Sequence, residues 1–221
     1  MSIMVIVDPI PVTFDLEEVS ARLRYDAARA GFDSLEGLVT LSHELTKPRA
    51  AYEISYVGNK GESAVDVGGV TFVSPILRKN LEAPNKVFPY IITVGPELER
   101  TAAAQNDLLK QYYLEEIANI ALEQAAHRLA SQLESRYGLG PLSNMSPGSL
   151  EDWPITEQPK LFSIFGDTER LVGVRLTDSM LMLPRKSVSG ILFPSEEGFV
   201  ACRLCERERC PGRKAPYDAR A

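Results

Sequence analysis

Histidine is nearly absent. His43 and His127 are the only two in 221 residues, which sets aside a histidine-rich metal site. No Gly-x-Gly-x-x-Gly follows a candidate strand, no phosphate loop ends in Gly-Lys-Ser/Thr, and the familiar hydrolase signatures are missing, so the common nucleotide-binding and hydrolytic classes have no support. No apolar run approaches the roughly 18 to 20 residues of a membrane span. The opening "MSIMVIVDP" lacks a basic n-region, a long apolar h-region and a small-residue cleavage site, and a soluble, cytoplasmic protein is the expectation. A formal net charge of −6 disfavours nonspecific binding to nucleic acid and turns attention to a protein or small-molecule partner.

What is present reads as alternating short elements. "SIMVIVDPIP" is a strand closed by prolines, and Asp15 with Glu18 three residues on marks a helix start. A second helix is expected over 34–45. "AYEISYV" and "VDVGGVTFV", joined by the turn "GNKG", predict antiparallel pairing. "KVFPYIITVGPELER" reads as a strand that ends at Gly95, followed by a helix with Pro96 at its first position and Glu97 and Glu99 in its first turn. Leu109, Tyr113, Ile117, Ile120, Ala121, Ala125, Leu129 and Leu133 recur at helical spacing and predict one long helix over 106–137, stopped by "GLGP". "PKLFSIFG" reads as a short helix, and "RLVGVRL", "SMLML", "VSGILF" and "GFVACRL" as successive strands. The tail "GRKAPYDARA" is polar. These elements predict an α+β fold, a mostly antiparallel sheet packed with a long helix, in a single unit over 1–221.

Three features are chemical candidates. Glu116, Ile120, Glu123 and His127 form one helical stripe, either an ion-pair edge or a carboxylate aimed into a cleft. "SPGSLEDWPITEQ", residues 146–158, is either a connection that Trp153 pins to the core or the edge of a ligand site, because Pro147 fixes φ and Gly148 exposes backbone. Cys202, Cys205 and Cys210 are the only cysteines, and four arginines nearby favour thiolates. They are one sulfur short of a four-cysteine zinc or iron–sulfur site. Asp218, His43, an external molecule or another subunit would have to complete it, and the alternative is three reduced thiols.

The segment "LTDSMLMLPRKSVSG", through Leu176, Thr177, Ser179, Met182, Pro184, Ser187, Val188, Ser189 and Gly190, resembles the activation domain of cobalamin-dependent methionine synthase. Ser146-Pro147-Gly148 with Trp153-Pro154 and Gln158 looks like the corresponding loop of small stand-alone proteins similar to that domain, and "TVGPELE" and Glu123 fall where such proteins carry Thr-x-Gly and Glu. The likeness is best over 87–200, with 1–85 as an N-terminal elaboration and 201–221 as a cysteine-containing tail. It implies an activation-domain-like fold and a shallow groove for S-adenosylmethionine. It also implies a partner, a cobalamin-binding protein or corrinoid methyltransferase, whose inactive cobalt is reduced and remethylated.

Carried over residue by residue, the resemblance makes Glu123, Ser146, Pro147, Gly148 and Phe199 the ligand-binding candidates. Two positions depart from the family pattern: Asn144 stands where the family has Arg, and Ser149 where it has Tyr. Arg185 and Lys186 are candidate replacement cations. The cysteine cluster lies outside the family motif. The functions expected are therefore an S-adenosylmethionine-binding module within a cobalamin-dependent methyltransferase system, an iron–sulfur redox accessory for such a system, or a scaffold of the same fold that binds no ligand.

Overall fold

A computed structural model describes residues 3–26, 34–195, 198–207, 209, 210, 213 and 215–218. The N-terminal part contributes β1 (Ile3–Val7), α1 (Leu16–Leu23) and α2 (Leu35–Leu45), then β2 (Arg49–Lys60), β3 (Ala64–Val67), β4 (Val70–Val73) and α3 (Pro75–Asn80). The chain continues through β5 (Lys86–Thr93), α4 (Glu97–Ala103), α5 (Leu108–Tyr137) and β6 (Leu142–Met145). It then forms α6 (Gln158–Phe165), α7 (Thr168–Val172), the two-residue strands β7 (Arg175–Leu176) and β8 (Met182–Leu183), and β9 (Ser187–Pro194).

Capping residues explain most helix boundaries. Asp15 accepts from Glu18 N at 2.8 Å to start α1, and Ser34 and Ser74 do the same for α2 and α3. Asp107 accepts from the backbone of Leu109 and Lys110, and Gly138, in the left-handed conformation at φ 60°, ends α5 after 30 residues. The "VGGV" within one expected strand is a hairpin instead. Gly68 and Gly69 both take positive φ, the combination that a tight two-residue turn requires, and Val67 pairs with Val70.

Seven strands form an antiparallel sheet in the order β4-β3-β2-β5-β9-β6, with β1 also on β2. β5 is central and, apart from Lys86, wholly buried, consistent with its unbroken apolar run. Its side chains alternate between two cores. Phe88, Tyr90 and Ile92 join Ala50, Tyr52, Leu192 and the apolar stripe of α5, with α1, α2 and α4 packed into the same cluster. Val87 joins Met145, Trp153, Ile191 and Phe193 on the opposite face, and Ile91 packs there with Phe162, Phe165 and Val172 of α6 and α7. The sheet thus divides the molecule.

The last third departs from the expected run of strands. Within "RLVGVRL" the residues through Val172 are helical, because Asp167 caps Arg170 N at 3.0 Å and Gly173 closes the turn, leaving just Arg175–Leu176 extended. "GFVACRL" does not pair in the sheet. β6 already occupies the free edge of β9, and the later segment crosses over it, with Phe199 N donating to Ser143 Oγ at 2.7 Å before a helical turn at Ala201–Arg203. Residues 211, 212, 214 and 219–221 of the polar tail lie outside the described residues.

Candidate functional site

The loop at 146–158 is a closed turn. Gly148 N donates to Trp153 O at 2.7 Å and Ser149 N to Ser146 O at 3.1 Å. Gly148 sits at φ 81°, and a Cβ there would lie 2.9 Å from Ile155 Cδ1, so the bare face of this glycine is covered by Ile155. Trp153 is fully buried, edge-on to Phe72 at 5.9 Å, in the core on the α3 and α6 side of the sheet. Pro147 is buried as well. Pinning by the tryptophan is what this stretch does locally.

Ser146 faces the other way. Leu142 packs into the α5 core and Met145 into the opposite one, so pleating puts Asn144 and Ser146 on the α5 face. There Tyr90 donates its hydroxyl to Asn144 Oδ1 at 2.9 Å. Tyr90 is opposite Gly190 in the ladder. A Cβ at Gly190 would come within 2.4 Å of Met145 O, 2.7 Å of Ser146 Oγ and 2.8 Å of Asn144 Oδ1, so the glycine is what allows β6 to approach with its polar groups over β9. Burial pushes the Tyr90 phenol up to about 12, opposed by its hydrogen bonds with Ser146 and Asn144.

One flank of α5 borders this row. Near its start Lys186 Nζ donates to Asn119 Oδ1 at 2.9 Å and lies 3.9 Å from Glu115; near its end Glu134 Oε1 accepts from Leu142 N at 2.8 Å. Between those ties α5 carries the half-buried Leu122, Ala126 and Ala130, which pack at the margin of the α5 core. The Lys186 side chain is 13% exposed and turned inward. Arg185 is instead half exposed, its guanidinium held by Glu99 at 2.7 Å and Glu115 at 3.2 Å, and these carboxylates raise its pKa.

Glu123 belongs to the other flank. Arg22 of α1 grips it with both terminal nitrogens, at 2.7 and 2.8 Å, and the carboxylate raises the arginine's pKa. This ion pair ties the Glu123 stripe of α5 to α1 of the N-terminal helices. Phe199 packs into the core on the Trp153 side, across the sheet from Ser146. Of the five ligand-binding candidates, Ser146 alone has its side chain in the Tyr90 row. Tyr90 and Asn119 carry no motif of their own, and helical spacing alone does not distinguish neighbouring flanks of α5.

The cysteine tail is organised by an arginine. Arg213 donates to the carbonyls of Cys202 at 2.9 Å, Cys205 at 3.0 Å and Ala215 at 3.1 Å, and also to that of Arg207. Asp218 N closes onto Arg203 O. Cys202, Cys205 and Cys210 are unbridged and half-buried, and among the described residues no group of three or more His, Cys, Asp or Glu is arranged to hold a metal ion. His43 is elsewhere, edge-on to Phe14 at 5.5 Å.

A family model described as vitamin B12 dependent methionine synthase, activation domain, matches residues 147–209. The chain resembles that activation domain. The matched segment includes the Gly148–Trp153 turn, β9 and the start of the cysteine tail with Cys202 and Cys205. A solved structure described as the MetH reactivation domain bound to AdoHcy has the same fold, with a TM-score of 0.58 and 16% sequence identity, over 90% of this chain and 81% of that one. The α+β architecture expected from the sequence is thereby borne out. No curated protein matches. Among the described residues no helix is long and apolar enough to cross a membrane.

Proposed function

We propose that this protein is an S-adenosylmethionine-binding module, similar to a reactivation domain, that assists remethylation of a cobalamin held by a partner protein. The observation that carries the reading is the activation-domain match over 147–209, the segment that supplies the closed turn and β9. The AdoHcy-bound state of the similar MetH domain supports the ligand class.

In this reading the donor set lies on the flank of α5 that borders β6 and β9. Lys186, inward and half-paired with Asn119 and Glu115, is the cation for the ligand's carboxylate in place of the arginine absent at 144. Glu115 is the acid nearest that cation and takes the ammonium group. The Ser146 hydroxyl and the backbone of the closed turn receive the nucleoside end. The bound donor supplies an electrophilic methyl group. The protein's own residues hold and orient it, and proton transfer is not required of them. Glu123, gripped by Arg22, has no part in this reading.

Titration calorimetry with S-adenosylmethionine, alone and with a corrinoid protein, tests it. Saturable heat that is lost on Lys186→Met supports the reading. No heat in either arrangement defeats it.

A further inference from the structure

A cavity of about 740 Å³ lies between the proline segment that follows β1 and the flank of α5 that carries His127. Small-molecule sites have volumes of about 300 to 1,000 Å³. The walls are fixed by hydrogen bonds of the fold itself. Ile10 N donates to Pro48 O at 2.8 Å, and at one end Thr13 N donates to Gln124 Oε1 at 3.0 Å while Gln124 Nε2 donates back to Thr13 O at 2.7 Å. Pro9 and Pro11 restrict the backbone between these ties, so the opening is in place without a ligand.

Helical spacing sets the chemistry of the α5 wall. His127, Ser131 and Ser135 form one row at intervals of four, Arg128 and Gln132 form the next, and both rows line the cavity. The facing wall, from Val7 through Pro9, Ile10 and Pro11, is apolar. No aspartate or glutamate lines the space among the described residues, although the chain carries a net charge of −6. The acids of α5 on either side of this stretch are engaged elsewhere, Glu123 by Arg22 and Glu134 by Leu142 N. Asp15 caps α1, and Asp8 is exposed outside the lining. The positive field at Arg128 is thus left standing.

Charge and shape together select the ligand class. The guanidinium of Arg128 and the ring of His127 lie one helical turn past the Gln124 tie, at the closed end, whereas Ser135 is about 12 Å farther along the helix axis than His127. A cation would meet no acid there. A bare inorganic ion would leave the proline wall in water, and a neutral apolar molecule would leave the guanidinium unused. We propose that this cleft binds a small organic anion, with its phosphate or carboxylate on Arg128 and His127 and its apolar body along Pro9 and Pro11. A guanidinium fork suits either head, and the hydroxyls of Ser131 and Ser135 and the amide of Gln132 serve polar groups farther along the body. Neither Lys186, Glu115, Asn119 nor Ser146 lines this cavity, so the site is separate from the one proposed for S-adenosylmethionine.

Ligand-observed NMR and calorimetry on the full chain, with phenyl phosphate and benzoate as probes, test the proposal. Inorganic phosphate supplies the charge without the body, and benzyl alcohol the body without the charge. The expected result is saturable binding of an aromatic anion, about tenfold or more tighter than either control, and weakened about tenfold or more by Arg128→Gln with S-adenosylmethionine binding unchanged. Arg128 and His127 are both exposed, so these variants are expected to keep the urea midpoint of the wild type. Arg128→Lys keeps the charge without the fork and should recover part of the loss, and His127→Gln should weaken the same probes. Absence of saturable binding of both aromatic anions, binding indifferent to Arg128→Gln, or inorganic phosphate bound as tightly as phenyl phosphate overturns the proposal. Joint loss of aromatic anion and S-adenosylmethionine binding in Arg128→Gln overturns it as a separate site, whereas failure of S-adenosylmethionine alone to bind the wild type leaves it standing and defeats only the earlier reading.

Discussion

Arg22 closes on Glu123 with a two-pronged hydrogen-bonded ion pair that ties α1 to the middle of α5. The pair joins segments 101 residues apart in sequence, yet it is half exposed, at 38% and 51% for the two side chains. Solvent screens such a pair, and its net contribution is about 0.2 to 1 kcal/mol. Glu123→Gln is therefore expected to lower stability to urea by no more than this amount and to leave S-adenosylmethionine affinity unchanged. A tenfold or greater loss of affinity in calorimetry would return Glu123 to the ligand site.

Lys186 carries the opposite expectation. Its charge is turned inward between Asn119 and Glu115, and a charge-assisted hydrogen bond to a ligand carboxylate is worth about 1.5 to 3 kcal/mol. Lys186→Met should weaken S-adenosylmethionine about 10- to 150-fold, while Arg185→Met, which removes a half-exposed pairing with Glu99 and Glu115, should change it little. Equal effects of both substitutions would contradict the assignment.

Gly190 has the least room for a side chain among the described glycines. Alanine there must push a Cβ into the Met145 carbonyl at 2.4 Å, and a backbone atom cannot swing aside as a side-chain tip can. Overpacking of this kind costs about 1 to 3 kcal/mol, occasionally more. Gly190→Ala should lower the denaturation midpoint accordingly and detach β6 from β9, visible as faster amide exchange over 142–145.

Much of the framework was legible because it rests on local chemistry. The stripe of α5, its glycine stop, the Asp15 cap and the Gly95-Pro96 junction are each written within a few residues. β6 was not, since "LSNM" has little strand character and exists as a strand only because β9 offers a free edge to it. The closed turn was legible as a turn through its prolines and glycine. Which face Ser146 takes depends on the register of β6 against β9, a pairing across almost 50 residues, and which flank of α5 meets β9 depends on Lys186 reaching Asn119 from 67 residues away.

Tyr90 makes the fold sensitive to alkali. Burial raises its phenol from the ordinary value near 10 to about 12 in the folded protein, so folding favours the protonated form. The sign follows from linkage: the contribution is fully present below pH 10 and is lost as the pH rises through 12, because the unfolded chain releases this proton first. The loss amounts to about 2 to 3 kcal/mol across that window. Tyr52, also pushed up to about 12 chiefly by burial, acts in the same direction, so Tyr90→Phe should reduce the slope of stability against pH between 10 and 12 without abolishing it. An unchanged slope in urea titrations would show that the Tyr90 phenol ionises as readily in the folded protein as in the unfolded chain.

The cysteine tail depends on a planar fork. Arg213 reaches four backbone carbonyls, from Cys202, Cys205, Arg207 and Ala215, and a guanidinium with five donors can serve them where an ammonium with three cannot. Arg213→Lys should therefore loosen the tail while the sheet stays intact, seen as faster hydrogen exchange and proteolysis confined to 201–218. The thiols report the same change, because Cys202 and Cys205 are half-buried within this loop and should react faster with a thiol reagent once it opens. Should exchange and thiol reactivity stay as in the wild type, the arginine is not what organises the loop, and metal analysis of an anaerobic preparation becomes the test of whether the three sulfurs are drawn together by an ion instead.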